Sequence, residues 1–457
     1  MKRAGSIDLL RGMAVLMMTF SGNLPLGDLL PAWMYHAQEP PPMHEFDPTV
    51  AGITWVDLVF PFFLFCMGAV IPFVVPAKLN QEGLRLTLLQ SVYRFIKMLL
   101  FAIVVWSFHP WRCTQLGWGA PWVGLLTYIG FFAAFVKPPN RSKEDAFKIN
   151  MVGYMILAFA MFVLVYNGKY IHPSVNDPII RLLANTYLVG IALWIASRHS
   201  WSVRVGFGLV VMSLYLGGKV NGSWVQEIYE WSSPFMMFQV SALQYLLVFI
   251  PGSIAGDILS KGGFEQRGVR RAIISGLATM TITISTLVGL LFRQDYAIEM
   301  SFLINFGVLI GVFLLTRSNI NQSERQILAL GAILLLAGYL VEPFQEGIKK
   351  DNATLSYFLI TSGLATFWIW TFESQPIEWR RIRILRAISL TGQNSLMAYA
   401  MAGFLVIPIM DITRMGDLFS WGNPLKSVSG VVEGLFITSA VGCLTAYFSK
   451  RKIFWKI

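Results

Sequence analysis

The stretch GITWVDLVFPFFLFCMG, Gly52 to Gly68, runs on as AVIPFVVPA and is apolar over more than the roughly 20 residues a helix needs to cross a bilayer. It carries one acidic residue, Asp57, a turn inside its start. A carboxylate at the centre of a membrane helix costs about 2.5–3.5 kcal/mol on insertion scales and less near an interface, so Asp57 is expected to face the protein interior or a wet cavity. What sits beside it is the question the rest of the sequence must answer.

The surroundings are of the same kind. Of 457 residues, 55% are hydrophobic, 14% aromatic and only 13% charged, and the mean hydropathy is +0.59. A soluble chain carries about twice that charge, so this is an integral membrane protein. Apolar segments lie near 7–24, 54–77, 92–108, 121–136, 148–166, 179–196, 203–217, 236–258, 271–292, 299–316, 326–342, 355–372, 388–410 and 429–448. The expected fold is all-α and polytopic, a single domain over residues 1–457 with about 14 transmembrane helices. The number falls to 12 if the short segment 203–217 and the polar-interrupted segment 388–410 do not cross. The basic start at Lys2 and Arg3 precedes a helix that Asp8 and Arg11 interrupt, with no small-residue cleavage site after it, which reads as a retained first helix.

Charge then sets the orientation. The side holding both termini and every second loop carries 27 of the 36 Lys and Arg, against 8 in the other loops, and the positive-inside rule makes the first side cytoplasmic. The net charge of +11 is therefore a topology signal, and nucleic acid is not an expected partner. The bilayer is. Cys66, Cys113 and Cys443 have no CxxC or metal-like spacing.

The longest break between apolar segments is the external loop 25–53, which contains LPAWMYHAQEPPPMHEFDP. Loops this long usually have a job, and the prolines at 40–42 are expected to stiffen it as a short polyproline stretch. His44 lies at the mouth of the helix that bears Asp57, where imidazole suits proton transfer near neutral pH and a buried aspartate can fix its tautomer. The plainer reading of Asp57 is an acid favoured by the helix N-terminus. His36, in the same loop, is the competing histidine. The spacing of His36 and His44 matches no compact ligand motif, so no metal is expected.

On the cytoplasmic side, Asp8 and Arg11 are three apart and can pair, anchoring the helix end. Alternatively Arg11, with Lys78, Arg94 and Lys97, forms a basic mouth suited to a phosphorylated donor. In LTGQNSLMAYAMAGFLV, Leu390 to Val406, Asn394 and Ser395 either bond a neighbouring helix or line a pore and hold a substrate oxygen. Lys349 and Lys350 stand in an outer loop against the charge trend. There is no Walker loop, dinucleotide fingerprint or GxSxG motif.

SIDLLRGMAVLMM and GITWVDLVFPFFLFCMG, with KKDNATLSY and GQNSLMAY towards the C-terminus, resemble the heparan-alpha-glucosaminide N-acetyltransferase family and its bacterial relatives among the transmembrane acyltransferases. Residues 110–320 carry no motif of that family. The resemblance implies transfer of an acetyl group from cytosolic acetyl-CoA to an amino sugar on the far side of the membrane. It implies a catalytic histidine in the loop before the VDLVFP helix, which maps to His44, and it matches Asp57 to the motif's aspartate. Asn23 falls near a polar position at the end of the first helix, out of register by about one residue. The loop is longer here by a few residues, which leaves His36 as the alternative, and the GQNS segment lacks the histidine that some relatives have after it.

The expectation is thus an acetyl-CoA-dependent N-acetyltransferase in a bacterial inner membrane. His44 and Asp57 are catalytic, and Asn23, His36, Lys350, Asn394 and Ser395 meet a glucosamine-type acceptor. Arg11, Arg94 and Lys97 meet the donor, and a homodimer is compatible with the sequence. The rival expectation is a secondary transporter for a sugar or glycan fragment, which should place carboxylates at the midplane in paired halves.

Overall fold

A computed structural model describes residues 5–138, 142–264, 268–292, 295–316, 320–422 and 425–455. Helices dominate it. In chain order they are α1 (Gly5–Ser21), α2 (Val59–Phe108), α3 (Ala120–Phe135), α4 (Lys143–Tyr166), α5 (Pro178–Ala196), α6 (Trp201–Gly218), the short α7 (Trp224–Glu230) and α8 (Leu246–Lys261). They continue with α9 (Val269–Phe292), α10 (Asp295–Thr316), α11 (Gln322–Val341), α12 (Leu355–Ser374), α13 (Arg383–Gln393), α14 (Ser395–Met401), α15 (Ile407–Thr413) and α16 (Lys426–Lys450). Among the described residues, twelve helical stretches are long and apolar enough to cross a membrane, so the protein is a polytopic helical membrane protein.

The stretch Val56–Phe108 is 53 residues long, far more than one crossing, and Gly83 breaks it with φ 79° and ψ 172°. Only glycine enters that region without steric cost, so α2 is two arms that coincide with the apolar segments near 54–77 and 92–108. The segment 203–217 forms α6, a full-length span, whereas 388–410 divides at Asn394. There α13 ends, and the crossing runs from Ser395 through a π turn at Ala402–Val406 into α15.

Alternate loops collect at opposite ends. At one end Gly52 N–H donates to the Ile348 carbonyl at 2.7 Å, and the Lys169 ammonium donates to the Arg112 carbonyl at 2.8 Å. At the other, Val136–Lys137 pairs antiparallel with Phe454–Trp455, and Asn321 Nδ2 donates to the Gly263 carbonyl at 3.1 Å. The charge bias assigns the second end to the cytoplasm.

At the centre stands α12, buried along its length except at Leu359 and Trp368, with α1, α2, α8, α9 and α11 around it. The first arm of α2 crosses α8 at Gly252 and Gly256, where a side chain on Gly252 would strike the Phe65 carbonyl. That is the small-residue close approach by which membrane helices pack when no water drives them together.

Candidate functional site

Asp57 is 2% exposed, and its carboxylate is fully engaged. One oxygen, Oδ2, accepts from Thr54 N–H at 2.9 Å, Ala37 N–H at 3.3 Å and Thr54 Oγ1 at 3.3 Å. The other, Oδ1, lies 2.7 Å from Nδ1 of His36. These donors offset the cost of placing a carboxylate at the start of a membrane helix. The Asp57 carbonyl in turn accepts from the Tyr357 hydroxyl of α12 at 2.8 Å, which ties the helix start to the molecular centre.

The histidine beside Asp57 is therefore His36, and the expected pairing with His44 is corrected. His44 Nδ1 lies 3.2 Å from the Glu39 carbonyl and Nε2 lies 3.1 Å from the Gly27 carbonyl, while its ring meets Tyr35 edge-on at 4.4 Å. Both of its nitrogens face main-chain acceptors, so it braces the loop. The prolines do not run on as a straight polyproline rod, because Glu39–Met43 turns back and His44 N–H reaches the Pro40 carbonyl at 3.0 Å. Asp47 N–H then donates to the Gln38 carbonyl at 2.9 Å. The fold-back is what brings the more distant histidine to Asp57.

When Nδ1–H of His36 donates to Asp57, Nε2 keeps its lone pair, the form a general base requires. The side chain is 31% exposed, so the ring can reach a ligand. Lys350 Nζ stands 3.2 and 3.4 Å from the two ring nitrogens. It is delivered by a second loop stapled to the first, because Gln38 Nε2 donates to the Asp351 carbonyl at 3.0 Å and Asp351 N–H donates to Gln38 Oε1 at 2.8 Å. A carboxylate, an imidazole and an ammonium thus converge from residues 36, 57 and 350.

Two cavities lie along α1. A large one of about 950 Å³ is lined by Asn23, His109, Trp111, Asp177, Tyr399 and Asp411 among others. Asp177 caps α5 through Ile180 N–H at 2.9 Å and accepts from the Tyr399 hydroxyl at 2.7 Å, and burial pushes its carboxyl up from the ordinary range. A narrower pocket of about 130 Å³ is lined by Arg11, Arg94, Tyr187 and Ser395. Met18, Ile179 and Tyr399 line both, so one layer of side chains separates them.

The basic residues divide. Arg11 bonds Asp8 at 2.7 Å and Arg94 lies 4.6 Å over the Tyr187 ring, both at the narrow pocket. Lys97 sits over Tyr93 at 4.7 Å and is not part of that lining. Ser395 lines the narrow pocket beside the arginines, away from the external loop. Asn394 is occupied elsewhere. Its Nδ2 donates to the Ile453 carbonyl at 3.0 Å and its Oδ1 accepts from Trp455 N–H at 3.1 Å, so it fastens the C-terminal strand. Asn23 Nδ2 donates to the Thr19 carbonyl at 2.7 Å and reaches the large cavity.

Sequence reasoning overlooked Thr54, Gln38 and Asp177. A signal existed for Asp177, since Asp followed by Pro178 is a helix-start pattern, and for Thr54, three residues before Asp57. Nothing local marked Gln38, whose partner is more than 300 residues away. His36, Asp57, Arg11 and Arg94 all fall within residues 3–259, the part of the chain that a known family model matches. No curated protein matches the chain. The match covers more than half of the 457 residues, and the chain belongs to that family, described as Domain of unknown function (DUF5009).

Proposed function

We propose that the protein is a membrane-embedded N-acetyltransferase that carries an acetyl group from cytosolic acetyl-CoA to a terminal amino sugar, glucosamine-type, on the outer side of a bacterial inner membrane. The observation that carries the reading is the 2.7 Å contact between His36 Nδ1 and Asp57, which leaves Nε2 as a proton acceptor in the loop 25–53. The acceptor amine attacks the thioester carbonyl, its proton passes to His36 Nε2, and coenzyme A leaves as the thiolate. Asp57 holds the imidazole and stabilises its charged form. Lys350 offers a cation to negative charge that develops on the carbonyl oxygen. Arg11 and Arg94 at the inner pocket suit the phosphates of the donor, whose pantetheine arm would pass between Met18, Ile179 and Tyr399.

The experiment is acetyl-CoA turnover by the purified protein against a panel of amino sugars. His36→Ala is expected to abolish transfer, and His44→Ala to retain it with a melting temperature lowered by the loss of the ring's hydrogen bond and packing in the loop. A dead His44→Ala beside an active His36→Ala would overturn the assignment. The two cavities meeting at one thin wall also suit the rival reading, a carrier for a glycan fragment. Uptake of a labelled amino sugar into vesicles with no acetyl product would favour it.

A further inference from the structure

The elbow between the crossing that ends at Ser374 and the one that begins at Ser395 holds a chemistry that acetyl transfer does not use. Arg380, Arg381, Arg383 and Arg386 alternate there with isoleucines. Arg380 is engaged by the Phe372 carbonyl at 2.9 Å and by Glu373 at 3.3 Å. Arg381, Arg383 and Arg386 are exposed and make no ion pair among the described residues, and the only acid within the elbow is Glu378. Ile377, Ile382 and Ile384 are 55%, 49% and 71% exposed. A topology signal would account for the arginines in this position but not for three isoleucines left bare among them.

Both flanking crossings end at this elbow, so it is held at the bilayer surface on the side that the charge bias assigns to the cytoplasm. We infer that the elbow is a binding surface for anionic phospholipid of the inner leaflet, with the isoleucines in the acyl boundary and the three arginines on headgroup phosphates. Apolar side chains interleaved with cations at the interface are the composition that anchors helices in anionic membranes, and guanidinium grips phosphate bidentately. The surface is joined to the rest of the molecule by the crossing of α13 on α1. Gly12 and Gly392 approach so closely that a side chain on either would strike the opposite backbone, at the Ile388 and Asp8 carbonyls. Lipid held at the elbow therefore steadies the segment of α1 that bears Arg11.

The test attaches an environment-sensitive fluorophore at Ile384→Cys in the whole 457-residue chain, with Cys443 replaced by Ser. The protein is placed in nanodiscs of phosphatidylcholine with or without phosphatidylglycerol, and native mass spectrometry counts the lipid it retains. Phosphatidylglycerol is expected to deepen the probe, read as stronger quenching by spin-labelled lipid, and to be retained in preference to phosphatidylcholine. Replacing Arg381, Arg383 and Arg386 by Gln should cut that preference about tenfold or more. Inorganic phosphate should neither shift the probe nor compete at millimolar concentration. Equal quenching and retention in the two lipids would overturn the inference, as would phosphate displacing the lipid or the triple variant keeping full preference. Should the variant fold poorly, the comparison of lipids on the wild-type arginines decides alone.

Discussion

Asp57 and His36 show how an expensive residue becomes a useful one. With donors from Thr54, Ala37 and His36 on its carboxylate, Asp57 is held in place and fixes the imidazole in return. Asp57→Asn would present an amide N–H where His36 now donates, favouring the tautomer whose Nε2 bears the proton. Acetyl transfer is expected to fall by about 10²–10⁴-fold with the protein still folded, as read from initial rates beside a melting curve. A wild-type rate would remove Asp57 from the reaction. His109 gives a second prediction at this scale. Burial, with Arg112 adding to it, pushes the imidazole down from 6.5 to about 4. The unfolded chain therefore takes up this proton first as pH falls. The stability contributed by neutral His109 is complete above about pH 6.5 and is lost as pH falls towards 4. Melting temperatures in detergent between pH 7.5 and 4.5 should decline less steeply for His109→Gln than for the wild type.

Among the elements, α13 and α14 show where a sequence pattern and a fold part company. The segment 388–410 reads as one candidate crossing interrupted by polar residues, and the chain turns at one of them, Asn394, whose side chain bonds a strand some sixty residues later. Asn394→Ala should release the pairing of Phe454–Trp455 with Val136–Lys137 and lower the melting temperature, while KM for the acceptor stays unchanged. A raised KM at unchanged stability would return Asn394 to the substrate. The membrane helices were legible because each crossing needs a long apolar run, and even the division of α2 was written in the two segments that flank Gly83. The site was legible in part. Asp57 announced itself by its cost, and Lys350 by its charge on the wrong side. The choice between His36 and His44 was not legible, since proximity along the chain favoured His44. The attachment of this loop to the one that bears Lys350 runs through Gln38 and Asp351, a contact with no local signature.

At the scale of the whole molecule, the loops gather at two ends, with the His36 cluster at one and the excess of arginine and lysine at the other. Donor and acceptor would thus approach from opposite sides, past Met18, Ile179 and Tyr399. The direct measurement uses proteoliposomes in which all the protein is oriented alike, with acetyl-labelled coenzyme A supplied only on the side of the termini and amino sugar only on the side of loop 25–53. Labelled N-acetyl sugar is expected on the loop side for the wild type and none for His36→Ala. Product that forms only when both substrates share one side, or at an equal rate in His36→Ala, would contradict acetyl transfer across the membrane through His36.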